Sequence, residues 1–150
     1  MRALKLRLAR WMVATVIPAV FRRVNATIAR VVRSPLHPLL GPRFIVIRCE
    51  GRRSGRTYLV PVLSRRSGGG ELRILTSARA LWWRNVESGA PATVYYRGRE
   101  RDARIDVVRG VDAPSEVERA LASRGVVART LVALPASESV LLRVWLSPDV

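Results

Sequence analysis

The sequence predicts an α+β fold that is mainly β: a small antiparallel barrel of about six strands, with short flanking helices and an amphipathic helix in front. Three observations carry that expectation. Short runs rich in Val, Ile, Leu and Tyr recur between turn signals from residue 43 onward. The helical stretches between them are too few for a βαβ series, which favours antiparallel pairing and closure. Three prolines within residues 34–42 set this β-rich part off from a helical N-terminal third. The expected organisation is a helical segment over 1–33, a proline-rich linker over 34–42 and a barrel domain over 43–150. A chain of 150 residues is long enough to bury a real core.

In the first segment Val20, Val24, Ile28 and Val31 recur at helical spacing, while Arg22, Arg23, Arg30 and Arg33 fall on the opposite side. Residues 11–21 form an uncharged apolar run between Arg10 and Arg22. That run falls short of the roughly 20 residues a spanning helix needs, and Pro18 would bend it. A signal peptide lacks support, because no small-residue cleavage site precedes Arg22-Arg23. Two readings remain open: a basic amphipathic segment lying on a membrane surface, or a helix packing its apolar side on the barrel.

After the linker, residues 43–50, 56–65 and 71–76 are predicted strands, with turns at 51–55 and at the glycine run 67–70. A short helix is expected over 79–87, ending near Gly89. Residues 92–97 and 101–109 form a second hairpin about Gly98, where Arg101, Ala103, Ile105 and Val107 alternate as in a half-exposed strand. Asp112 is placed to cap the next helix and Pro114 suits its first turn. That helix runs to about residue 124, breaks at Gly125 and resumes to about 134. The last strand is expected over 140–146.

Charge is the unusual feature of the composition. There are 27 basic and 11 acidic residues, a net charge of +16, and Lys5 is the only lysine. Such a surface attracts polyanions: nucleic acid, anionic lipid or an acidic small molecule. Cys49 stands alone, which excludes an intrachain disulfide and suits a reducing, cytoplasmic compartment. One cysteine and one histidine, His37, do not make a Cys/His metal site, so no metal is expected.

The hexapeptide Gly51-Arg52-Arg53-Ser54-Gly55-Arg56 concentrates three guanidiniums, a hydroxyl and two glycines at a strand turn. Glycine permits positive φ and inward-pointing N–H groups, and arginine matches phosphate or carboxylate oxygens bidentately. The alternative is a solvated basic hairpin loop. Following the turn come a strand carrying Pro61, the glycine turn, a strand ending at Ser77, and Trp82-Trp83-Arg84-Asn85.

That order of elements, from about residue 42 to 108, resembles the deazaflavin-dependent nitroreductase family of mycobacteria and relatives, within the flavin/deazaflavin oxidoreductases. The resemblance implies a split β-barrel that binds coenzyme F-420, an 8-hydroxy-5-deazaflavin with a phosphodiester and an oligoglutamate tail. It implies that Arg52, Arg53, Ser54 and Gly55 hold the phosphate, with Arg56 near the glutamates. Pro61 and Leu63 would lie along the ring edge, and Ser77, Arg79, Trp82 and Asn85 would contact the ring or its side chain. Each also has a plainer role: Pro61 as a strand-edge or bulge residue, Ser77 as a helix cap, Asn85 as a surface amide. Trp82 and Trp83 are adjacent and cannot share a face, so one of them is expected in the core. The chain departs from the family where 77–81 lacks a Gly-Gly-x-x-x-x-Pro insert, and where Leu63 and residues 131–150 lack tyrosines.

The implied activity is hydride transfer between coenzyme F-420 and a lipophilic acceptor such as a quinone, with no catalytic residue assignable. Flavin mononucleotide is the alternative cofactor, and a non-catalytic cofactor- or lipid-binding barrel the alternative class. Nucleic acid is not expected as a partner, because the arginines spread along the chain and the aromatics are not interleaved in one strand. The expected location is cytoplasmic, with peripheral contact on the inner face of the membrane through residues 1–33, and an oligomer is compatible with the sequence.

Overall fold

Alternation within FIVIRCE sends Ile45, Ile47 and Cys49 to one side of the first strand and Val46 to the other, and that alternation builds the molecule. In the computed structural model, residues 27, 30, 31, 33–35, 41–123 and 134–148 are described. Six strands, β1 (Phe44–Glu50), β2 (Thr57–Arg66), β3 (Glu71–Ser77), β4 (Ala92–Tyr96), β5 (Arg99–Arg109) and β6 (Ser139–Leu146), close into an antiparallel barrel of order β1-β2-β3-β6-β5-β4. The mainly β barrel expected from the sequence is thus the fold observed. Closure satisfies the sheet edges except along residues 57–63 of β2.

The interior is filled by Ile45, Ile47, Leu72, Ile74, Val94, Ile105, Val140, Leu142 and Val144, each almost wholly buried. Register extends the pattern to β2: Val62 stands opposite Ile45 and Val60 opposite Ile47, so Leu59, Pro61 and Leu63 take the outer face. The ladder between β2 and β3 joins only Ser64, Arg65 and Arg66 to Ile74, Arg73 and Leu72. Over 57–63, β2 therefore carries a ladder on the β1 side alone, the setting in which a strand proline such as Pro61 is tolerated. β6 inserts between β3 and β5 and pairs with both along its length. Outside that sheet, helix α1 (Pro114–Ala122) lays Val117, Ala120 and Leu121 against Leu75, Val108 and Leu141.

Two local expectations are corrected. The segment expected as a helix over 79–87 forms two 3-10 turns, Leu81–Asn85 and Glu87–Gly89, separated by Val86, with Ser88 inside the second at φ 65°. In this geometry the Trp83 ring enters the core and its indole N–H donates to Ala78 O at 3.3 Å. Asp112 does not cap α1: its carboxylate accepts from Arg109 Nε at 2.6 Å, and Ala113 is the cap residue. The half-exposed alternation expected of β5 is observed: Arg101, Ala103, Ile105 and Val107 take the inner, less exposed face, and Glu100, Asp102, Arg104 and Asp106 the exposed one.

Val46 and Tyr95 point away from the interior, yet Val46 is fully buried. The Arg33 guanidinium lies 5.0 Å from the Tyr95 ring centroid, so the stretch just before the linker rests on this outer face. Most of the expected N-terminal helix, the middle of the linker and the resumed helix after Gly125 lie outside the described residues. Among the described residues no helix is long and apolar enough to cross a membrane.

Candidate functional site

The 51–56 turn is shaped by two glycines with different reasons. A Cβ on Gly51 would sit 2.6 Å from both Ser54 Oγ and Tyr58 Cε2, so these side chains close over a residue that has none. Gly55 has φ 65°, the left-handed region that glycine enters without steric cost. The turn is then closed by its own donors. Gly51 N–H donates to Arg56 O at 2.8 Å and Gly55 N–H to Gly51 O at 2.7 Å. Arg56 N–H donates to Ser54 Oγ at 3.3 Å, and Ser54 Oγ lies 3.4 Å from the Tyr58 hydroxyl. Arg52 N–H donates to Asn85 Oδ1 at 3.2 Å. With these four N–H groups committed, the turn presents its charge through side chains rather than through a ring of backbone donors.

Those side chains are exposed, and among the described residues Arg52, Arg53 and Arg56 join no ion pair. Arg48, Arg73, Arg104, Arg109 and Arg143, by contrast, all meet carboxylates. Three guanidiniums on one turn are a strong attractant for a phosphate or carboxylate.

Topology brings the second half of the candidate site to the same end. β3 runs antiparallel to β2, so Ser77 finishes at the end of the barrel where the 51–56 turn lies. Ser77 Oγ accepts from Arg79 N–H at 3.2 Å and tightens the bend before the 3-10 turn, a local turn role rather than a helix cap. Arg79 projects into solvent and reaches Glu138 at 3.7 Å. Trp83 is the core tryptophan at 2% exposure, and Trp82 packs partly buried against the same cluster. Asn85 closes the arrangement by its bond to Arg52.

The same amide faces the thiol of Cys49. Burial pushes the Cys49 thiol above its ordinary value, and the hydrogen bond from Asn85 opposes that push in part. Cys49 and Tyr58 are site neighbours that sequence reasoning missed. The available signal was their pairing across the first hairpin, where Cys49 stands opposite Tyr58.

Pro61 and Leu63 fall elsewhere. Both lie farther along β2 on its outer face, opposite Val46 and Phe44, and Leu63 is 59% exposed. They are separated from the turn by about 15–20 Å of strand. The structure thus joins Arg52, Arg53, Ser54, Gly55 and Arg56 to Asn85, with Ser77, Arg79 and Trp82 on the adjoining stretch, and leaves Pro61 and Leu63 on a neighbouring exposed strip.

No family model matches the chain, and no curated protein matches it. Solved structures do. A pyridoxamine 5'-phosphate oxidase-related, FMN-binding protein from Nostoc punctiforme is 13% identical with a TM-score of 0.55, covering 84% of this chain and 80% of its own. A protein related to general stress protein 26 from Clostridium acetobutylicum is 7% identical with a TM-score of 0.53, covering 79% and 84%. General Stress Protein 26 from Bacillus anthracis is 12% identical with a TM-score of 0.52, covering 73% and 84%. At these identities what the chain shares with these proteins is the split β-barrel fold.

Proposed function

We propose that this chain is an oxidoreductase of the split-barrel kind that holds a flavin-type cofactor, coenzyme F-420, against the 51–56 turn and the 77–85 stretch. The observation that carries the reading is the bond from Arg52 N–H to Asn85 Oδ1, which fixes a turn bearing three exposed arginines beside Trp82 and an amide. Arg52, Arg53 and Arg56 suit the phosphodiester and glutamate carboxylates of such a ligand. Trp82 offers an apolar wall and Asn85 a mixed donor and acceptor for the ring system. Pro61 and Leu63 extend the surface along β2 for the acceptor substrate, taken here as a lipophilic molecule such as a quinone.

When bound, the cofactor supplies hydride chemistry, and the chain supplies binding, orientation and water exclusion. Residues 43–150 are taken as the cofactor-binding unit, with residues 1–33 as an accessory segment. A second reading, with flavin mononucleotide in the same place, is supported by the FMN-binding description of the Nostoc protein that shares the fold. Fluorescence titration of the purified protein with coenzyme F-420 and, separately, flavin mononucleotide tests both. Saturable F-420 binding that is lost in Arg52→Glu supports the first reading, preference for the flavin supports the second, and binding of neither refutes both.

A further inference from the structure

We propose that the end of the barrel opposite the 51–56 turn is a second anion site, which takes a small organic phosphate carrying two or more negative charges. A cavity of about 450 Å³ opens there, within the size range of small-molecule pockets. Half of its lining is arginine: Arg66, Arg97, Arg99 and Arg101.

Three of these come from positions that point inward. Arg66 stands opposite Leu72, Arg99 opposite Tyr96 and Arg101 opposite Val94, and those three partners belong to the interior set. Inward positions of a small barrel are ordinarily filled by apolar side chains. Here the last inward positions of two strands carry guanidiniums that converge on one mouth.

The fourth arginine sits where backbone geometry disfavours it. Arg97 and Gly98 form the two-residue β4–β5 turn with φ 50° and 76°, and asparagine or glycine is the usual choice at the first of these positions. Strained positions of this kind concentrate at ligand sites. The Arg97 guanidinium lies 5.3 Å from the Tyr96 ring centroid, at the rim.

Leu72, Leu146 and Tyr96 give the cavity an apolar floor, suited to the organic part of a phosphate ester. Gly70 borders the opening with no side chain and open space around its Cβ position. The planar, forked donors of arginine match phosphate oxygens bidentately. β2 runs the whole way from the 51–56 turn to Arg66, about 30 Å of strand, so one small anion does not serve both places.

Calorimetric titration of the full chain with inorganic pyrophosphate at physiological salt tests the assignment. The expected result is saturable binding that Arg99→Gln and Arg101→Gln each weaken by about tenfold or more and that Arg119→Gln, on the outer helix α1, changes by less than about twofold. Absence of saturable binding, or equal weakening by Arg119→Gln and Arg99→Gln, overturns it. A second measurement needs no variant: amide shifts of the unmodified protein on adding pyrophosphate. Saturable shifts at Gly70, Arg97 and Leu146 sustain the site, and their absence at these three residues overturns it.

Discussion

Asn85 Oδ1 accepts the backbone N–H of Arg52 at 3.2 Å, tying residues 33 positions apart across one end of the barrel. The bond holds the basic turn against the 3-10 turn that carries Trp82 and Trp83. Asn85→Ala removes the acceptor and is expected to cost about 0.5–1.5 kcal/mol of stability, the net worth of an ordinary hydrogen bond. Urea unfolding reads that cost. If the proposed function is right, the same variant also weakens cofactor binding in the fluorescence titration.

The first residue of the turn is crowded by two exposed side chains. In Gly51→Ala the new Cβ meets Ser54 Oγ and Tyr58 Cε2 at 2.6 Å, and a destabilisation of about 1–3 kcal/mol is expected from the forced shift. Gly55→Asn meets open space and keeps a residue that accepts positive φ, so it is expected to cost less than about 1 kcal/mol. Unfolding midpoints of the two variants, measured side by side, separate crowding from backbone strain.

Cys49 is expected to be inert in the folded protein. Its thiol is 3% exposed and is held above its ordinary pKa by burial, so the reactive thiolate is scarce at neutral pH. An aromatic disulfide reagent is expected to label it rapidly in urea and slowly in buffer. Because the Asn85 hydrogen bond lowers the value, Asn85→Ala moves thiolate formation to higher pH still, which absorbance near the thiolate band follows.

Acid sensitivity centres on Glu71, a buried carboxylate at the start of β3. Burial alone would raise its pKa, but hydrogen bonds from Arg73 and Arg143 at 3.1 and 2.9 Å outweigh that effect, and the folded value lies below the ordinary one. A carboxylate depressed on folding contributes stability that is present above its unfolded pKa, near 4.3, and is lost as pH falls through the folded value. Stability is therefore expected to drop on acidification below about pH 4.5. Glu71→Gln should flatten that drop and cost about 1–3 kcal/mol at neutral pH, read from melts across a pH series.

Much of the fold was legible because β-branched runs and glycine turns act locally. The six strands lie within a residue or two of their expected bounds at most ends, and α1 begins at the predicted Pro114. What was not legible depends on distant partners. An expected helix takes 3-10 geometry in which the core holds the Trp83 ring, and nothing within residues 79–87 announces that the core has room. Asp112 matches a cap motif, yet Arg109 three residues earlier takes its carboxylate. At the site, the arginines and Asn85 were visible as residue types. Their union by one backbone hydrogen bond was not, and neither was the spending of the turn's N–H groups on itself. Alternation set Arg101 on one face with Ala103 and Ile105, but only closure of the barrel directs that face to the mouth.

The insertion of β6 between β3 and β5 has a consequence for how the molecule comes to exist. During synthesis the first five strands emerge with the edges of β3 and β5 unsatisfied, and the ring cannot close until residues 139–146 have left the ribosome. Pairing Glu71 with Trp145 bridges a long loop, so closure is a late and slow event governed by chain entropy. Until then β3 and the charged β5 offer open edges to other nascent chains, and the interval before closure is when this protein is most exposed to aggregation.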